Sequence, residues 1–220
     1  TYPCYCTKAD IAATNAPHAT DGRIIYPGTC RPAVGKVTAY SDKSPAIRLL
    51  MPHCRIDCTD TMFGQFTADM AAEWGDIVLR RADGAWAYQL AVVVDDAAMG
   101  VTHVVRGSDL LGSCAPQSLI ADMLGVSVPQ YIHLPLICNS HGIRLSKRDS
   151  SLAMDALRTR FTPRQVIGLL ASVAGIMEKP GEISPNELID VFDISRLPRK
   201  DKIIIDLCNR KSFGTAITGK

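Results

Sequence analysis

Cys4 and Cys6 stand one residue apart, and the stretch IIYPGTCR adds Tyr26 and Cys30. Three thiolates make a soft donor set suited to Zn²⁺, which takes four tetrahedral ligands. The Tyr26 phenolate oxygen is one candidate for the fourth place, and His18 or water competes for it on chemistry alone. The plain alternative is three buried cysteines packed as small hydrophobes. A second group, Cys54 and Cys58 with His53 beside them, has no fourth ligand nearby and reads as ordinary side chains on a strand and turn. Cys114, Cys138 and Cys208 occur singly and read as packing residues.

The stretch HGIRLSKRD (141–149) places Arg144, Ser146, Lys147 and Arg148 around one apolar residue, Leu145. Cations and a hydroxyl on one loop can neutralise the charge that develops on a triphosphate as pyrophosphate leaves. A solvated basic loop is the competing reading. Tyr88 and Arg106 lie 18 residues apart, each at the edge of an apolar run. Such an arginine is a natural bidentate partner for a carboxylate, and a tyrosine hydroxyl can bond an amine or a carboxylate. Pairing with Asp95 or Asp109 would explain the same residues without a ligand.

These groups need elements to hold them. Residues 1–40 are rich in Cys, Pro, Gly and Ala and read as a loop-rich module; 41–85 read as short strands such as Ala46–Met51 with charged turns. GDIVLRRADGAW predicts a strand, an Asp83-Gly84 turn and a new element. The apolar runs LAVVV (90–94) and VTHVV (101–105) predict elements buried on both faces, as in a parallel sheet. QSLIADMLG predicts a helix with Leu119, Ile120, Met123 and Leu124 on its apolar face and Gly125 as its C-terminal cap. HLPLIC (133–138) predicts a buried strand ending in an NSHG turn. TPRQ (162–165) predicts a capped helix with Pro163 in its first turn and Val166, Leu169, Leu170, Val173, Ala174 and Met177 as its buried stripe. SPNE (184–187) repeats that start signal. The pattern is α/β with a helical end.

Composition narrows the class. The chain has 220 residues, 47% hydrophobic and 21% charged, which fits one or two ordinary globular domains and excludes a disordered chain. No apolar run approaches the roughly 20 residues of a membrane span, so no membrane partner is expected. No secretory signal is visible, so the eight cysteines read as reduced thiols in a cytoplasmic protein. Net charge is only +2, but residues 196–220 carry seven Lys/Arg against Asp201 and Asp206. That local charge of +5 fits nucleic-acid contact or a solvated tail. A monomer is expected.

The order GVTHVVRGSDLL, PQYIHLPLI, RLSKR resembles the glutamyl-tRNA synthetase group of class I aminoacyl-tRNA synthetases, with RLSKR standing where that class has its KMSKS-type loop. Within the group, Cys4-x-Cys6 with Tyr26-x-x-x-Cys30, and GDIVLRRADGAWAYQLAVVVDD, look like the glutamyl-queuosine tRNA(Asp) synthetase family. The 72 residues after Arg148 leave room for a helical stem-contact region but not for an anticodon-binding domain. The resemblance implies the second half of a Rossmann-type catalytic domain over 86–150. It further implies a zinc-bearing insertion over 1–85, with the zinc module at 1–40, and a helical stem-contact-like region over 151–220. It implies glutamate held by Tyr88 and Arg106. It implies ATP, with Mg²⁺, held by Arg144, Ser146 and Lys147, of which Lys147 is the catalytic position. It implies a structural zinc on Cys4, Cys6, Tyr26 and Cys30, and tRNA(Asp) as partner. The expected reaction is tRNA-independent formation of glutamyl-adenylate, followed by transfer to the queuosine base. The family also begins with a Rossmann strand and an ATP-binding HIGH-type motif. Three residues precede Cys4, so this stretch is expected to be either the C-terminal two-thirds of such a protein or a degenerate relative lacking the first half of its active site. Two further readings stay open: a piece of an ordinary glutamyl-tRNA synthetase, and a non-catalytic zinc-bearing RNA-binding module. Arg144 departs from the usual lysine at the first loop position, keeping the charge but changing its geometry.

Overall fold

The computed structural model describes residues 1–14, 24–32, 44–145 and 154–205, apart from the Ala156 side chain. These form two compact units: Thr1–Val105 with Leu110–Ile132, and Arg106–Asp109 with the described residues from His133 onward.

In the first unit, β1 (Tyr2–Cys4) pairs antiparallel with β2 (Ala46–Arg48), which pairs antiparallel with β5 (Val78–Arg80). Tyr2 and Cys4 fall on the buried side of β1, opposite Arg48 and Ala46. A short helix, α1 (Lys8–Ala12), follows, started by a Thr7–Asp10 capping box. β3 (Arg55–Asp60) and β4 (Gly64–Asp69) form a hairpin. Its turn is set by Asp60, whose carboxylate accepts the N–H groups of Met62 and Phe63, and by Gly64 at φ +78°.

This hairpin heads a four-stranded sheet of order β4-β3-β7-β6, where β6 is His103–Gly107 and β7 is Gln130–Leu134. β3 and β7 run parallel at Asp60 and Tyr131. Helices α2 (Tyr88–Ala98) and α3 (Cys114–Leu124) pack on each other, and the core gathers Met70, Trp74, Leu119, Ile120 and Tyr131. Cys58 and Cys114 sit in it as packing residues, with Cys54 against its rim, as expected.

Three expectations are corrected here. LAVVV is not a two-faced buried strand; it lies in α2, where Val93 is buried and Val94 is 46% exposed. The β preference of valine is a weak prior, and packing one stripe of a helix against α3 overrides it. VTHVV does contain a strand, β6, but Val105 on it is exposed. In α3, Leu119 and Ile120 are buried while Met123 and Leu124 are half exposed, because the last turn runs past the core towards the left-handed cap at Gly125.

In the second unit, HLPLIC is divided rather than continuous. Pro135 separates the end of β7 from β8 (Leu136–Cys138), since proline offers no N–H to a ladder. β8 pairs parallel with β9 (Lys202–Ile204), and Cys138 is fully buried there. Three helices follow: α4 (Met154–Arg158), α5 (Pro163–Val173) and α6 (Pro185–Val191). Both expected capping boxes form, Thr162 with Gln165 and Ser184 with Glu187. α5 buries Val166, Leu169 and Ala171, whereas Leu170 is half exposed and Met177 falls beyond the helix. Gly168 carries the close contact of α5: a Cβ there would lie 1.8 Å from the carbonyl oxygen of Gly181.

Candidate functional site

Cys4, Cys6 and Cys30 come together although 26 residues separate the first from the last. Their Sγ atoms all lie within 4.8 Å of one another, and Cys6 Sγ is 3.5 Å from Cys30 Sγ. The Tyr26 hydroxyl joins them, 3.4 Å from Cys4 Sγ and 3.6 Å from Cys6 Sγ. A tetrahedral ion with metal–sulfur bonds of about 2.3 Å would place sulfurs about 3.8 Å apart and a phenolate oxygen about 3.5 Å from each sulfur. The four donors already lie close to that spacing, so they fit a soft divalent ion of the zinc type.

Burial and hydrogen bonding pull the protonation of these donors in opposite directions. Burial opposes ionisation of Cys30, but hydrogen bonds to its sulfur from the Tyr26 hydroxyl and the Tyr5 N–H bring the thiol down to about 7. Burial pushes Cys6 up to about 11, with the neighbouring sulfurs adding to the effect. Tyr26 is raised by burial and by its thiol neighbours. A metal must therefore displace protons to bind, which makes its affinity rise with pH.

A buried carboxylate fixes this cluster to the sheet. Asp76 is 1% exposed. It accepts from the Tyr2 hydroxyl, from Arg31 Nε at 2.6 Å and Nη2 at 2.7 Å, and from the Met51 N–H at 2.9 Å. Burial alone would raise its pKa; the Arg31 fork and the other donors overcome that and hold it below the usual range. Arg31 is the residue after Cys30, so the fork ties a cysteine ligand to β5's approach. Arg48 closes the other side, donating from Nη1 to the Asp76 carbonyl at 2.6 Å and lying 3.7 Å over the Tyr26 ring. Sequence reading found the cysteines and Tyr26 but missed Asp76, Arg31 and Arg48. Only a basic residue beside a cysteine hinted at them.

The remaining candidates divide between the units. Tyr88, in the first, opens α2 and is 48% exposed. Nearby Gln89 donates to Ser113 Oγ at 3.1 Å and accepts from Gln117 at 2.8 Å, tying α2 to α3. Arg106, in the second, lies near the end of β6 and donates from Nε to Nε2 of His133 at 2.9 Å. His133 is fully buried. After Arg106 the chain is pinned at successive residues. A Cβ on Gly107 would meet Asp109 Oδ1 at 2.6 Å, Ser108 donates to the Asp201 carbonyl at 2.8 Å, and Asp109 pairs with Arg144. Asp109, one of the acids expected near Arg106, pairs with Arg144. Arg144 opens the basic loop and is held further by Leu145 N–H donating to the Ile137 carbonyl at 3.0 Å. Ser146 and Lys147, like Arg148 and His18, lie outside the described residues.

Residues 1–204 match the family described as "tRNA synthetases class I (E and Q), catalytic domain". A glutamyl-Q tRNA(Asp) synthetase from Symbiobacterium thermophilum is 44% identical over 98% of this chain and 68% of its own. One from Nocardia farcinica is 42% identical over 94% and 65%, and one from Nitratidesulfovibrio vulgaris is 40% identical over 98% and 68%. The chain therefore spans about two thirds of the length of these relatives. Among solved structures, a glutamate tRNA ligase from Elizabethkingia meningosepticum, in complex with its amino acid, superposes with a TM-score of 0.65 at 26% identity, covering 79% of this chain and 38% of that one. A glutamate-tRNA synthetase from Elizabethkingia anophelis gives 0.63 at 26% identity, covering 77% and 38%. The mixed α/β architecture is that of a class I synthetase catalytic domain. With the family match running through nearly the whole described chain, this protein belongs to the class I glutamyl-tRNA synthetase-like ligases, in the glutamyl-Q tRNA(Asp) synthetase family.

Proposed function

We propose that this chain is the glutamate-, ATP- and tRNA(Asp)-handling part of a glutamyl-queuosine tRNA(Asp) synthetase. The observation that carries the reading is the closing of Cys4, Cys6, Tyr26 and Cys30 into one cluster in a chain whose relatives bear that name. In this reading Zn²⁺ sits on those four residues and supplies a structural cross-link, and takes no part in the reaction.

Tyr88 and Arg106 hold the glutamate. A guanidinium offers a planar two-donor fork to a carboxylate, and the tyrosine hydroxyl bonds the amine or a carboxylate oxygen. Arg144, Ser146 and Lys147 bear on the ATP phosphates, with Lys147 neutralising charge as pyrophosphate departs. Glutamate's carboxylate oxygen attacks the α-phosphorus, the bond to the bridging oxygen of pyrophosphate breaks, and glutamyl-adenylate results. The glutamyl group then passes to the queuosine base, releasing AMP. The chemistry is placement and charge stabilisation, so no side-chain nucleophile is required.

The test is glutamate-dependent exchange of labelled pyrophosphate into ATP by the 220-residue chain without tRNA. Exchange supports the reading for this chain by itself. A folded, metal-loaded chain that gives none, yet binds tRNA, favours the second reading, a non-catalytic zinc-bearing RNA-binding piece. That reading has its own support in the +5 charge of residues 196–220.

A further inference from the structure

We propose that the turn over residues 80–86 is a stacking platform for an unpaired nucleobase of the RNA substrate. Trp86 takes the base on its open face, and Arg80 takes the adjoining phosphate. This rests on the proposed role of the chain in handling tRNA.

Arg80 and Trp86 face each other as an antiparallel bridge across the turn. Gly84, at φ +89°, closes it, and its N–H donates to the Arg81 carbonyl at 3.0 Å. The Arg81 N–H donates to the Ala85 carbonyl at 2.8 Å, and the Ala85 N–H to Asp83 Oδ1 at 3.1 Å. Beyond Trp86, the Ala87 N–H donates to the Leu79 carbonyl at 2.9 Å. The backbone on both sides of Trp86 is thus held before any ligand arrives. The ring has a fixed neighbour as well. The Arg80 guanidinium lies 5.4 Å from its centroid, and Arg80 Nε donates to the Gly84 carbonyl at 3.2 Å.

Yet Trp86 is 62% exposed. Trp74, the other tryptophan, is buried in the core, where so large an apolar ring ordinarily lies. Within the turn Trp86 stands among Arg80, Arg81, Asp83 and Gly84, rather than in a run of apolar residues of the kind a protein partner covers. Asp83 pairs with Arg81, and among the described residues no acid pairs with Arg80. An apolar partner laid on this ring would strip water from a guanidinium that no acid offsets. A nucleotide meets both groups, because its base offers a flat π face and its phosphate complements the arginine. The base must be unpaired, since a base inside a duplex keeps its faces against its neighbours. Tyr88, proposed above to hold glutamate, follows two residues later at the start of α2. A base stacked on Trp86 would therefore bring an RNA loop to the neighbourhood of the amino acid it is to receive.

The experiment measures binding of natural tRNA(Asp) and of a fully paired RNA duplex to the whole chain and to Trp86→Ala, Trp86→Phe and Arg80→Gln, with thermal melting as the check on folding. Trp86→Ala should lose about tenfold in tRNA affinity and nothing in duplex affinity. Trp86→Phe keeps a π face and should stay near the unsubstituted protein. Arg80→Gln should lower the slope of log affinity against log salt by roughly one. In the unsubstituted chain, tRNA should shield tryptophan emission from acrylamide, a quencher that reaches exposed Trp86 rather than buried Trp74. Unchanged tRNA affinity in Trp86→Ala, or an equal loss for the duplex, overturns the platform while leaving the proposed function intact. Shielding that follows protein concentration rather than RNA overturns it in favour of a second copy of the chain on that face. No tRNA binding by the unsubstituted chain overturns the proposed tRNA role, and the platform with it. Should Trp86→Ala fail to fold, the acrylamide measurement decides, and no shielding at saturating tRNA overturns the platform.

Discussion

Asp76 collects a hydroxyl, a guanidinium fork and a backbone N–H on one buried carboxylate, so its removal strands several donors at once. Asp76→Ala should cost about 3 kcal/mol or more, measured by denaturant unfolding, because Arg31 and Tyr2 lose their partner away from water. The pH dependence follows in sign. A carboxyl held below its ordinary value of 3.8 contributes stability that is complete above that pH and is lost as the pH falls through the lowered folded value. The protein should therefore weaken below about pH 4, and Asp76→Asn should flatten that limb. Cys30→Ser should lower metal content by elemental analysis and lower the melting temperature of the metal-loaded protein. Unchanged stoichiometry would remove the cluster from consideration as a metal centre. The cysteines were legible in the sequence because thiols announce their chemistry, whereas Tyr26 was marked out from His18 and water only by the family resemblance. Asp76 was not, since its partners lie 74, 45 and 25 residues away and nothing local marks it.

At the scale of the element, the two helix starts at Thr162 and Ser184 could be read directly, because a capping box is a local contract between residues three apart. Thr162→Ala should cost about 1 kcal/mol. Gly168 shows the opposite case. Glycine inside a helix is ordinarily worse than alanine by up to about 1 kcal/mol, so Gly168→Ala looks stabilising on sequence grounds. Here the added Cβ would stand 1.8 Å from the Gly181 carbonyl oxygen. The substitution should destabilise the protein, and a rise in melting temperature would show that the α5–Gly181 contact is not as described. LAVVV was misread for a related reason. Its five apolar residues carry no period of their own, and only the packing of α2 on α3 decides between strand and helix.

At the scale of the whole molecule, charge is unevenly spread, with +5 in residues 196–220 against +2 overall. If that end meets tRNA, cutting the chain after Ile205, which removes Arg210, Lys211 and Lys220, should weaken tRNA binding and flatten its salt dependence. An unchanged slope would place the phosphate contacts elsewhere. The synthetase group could be read from motif order, and the narrower family from the Cys and Tyr spacing and the segment that opens at Gly75. The division into two units could not, because it passes through β6 and β7 and leaves no linker to see.

The joining of Cys30 to Arg31, and of Arg31 to Asp76, has a consequence for metal retention. An ion bound by the cysteines would share its support with Asp76, so zinc release on heating should coincide with the loss of near-ultraviolet circular dichroism. The metal would serve as a built-in reporter of the unfolding of its own support.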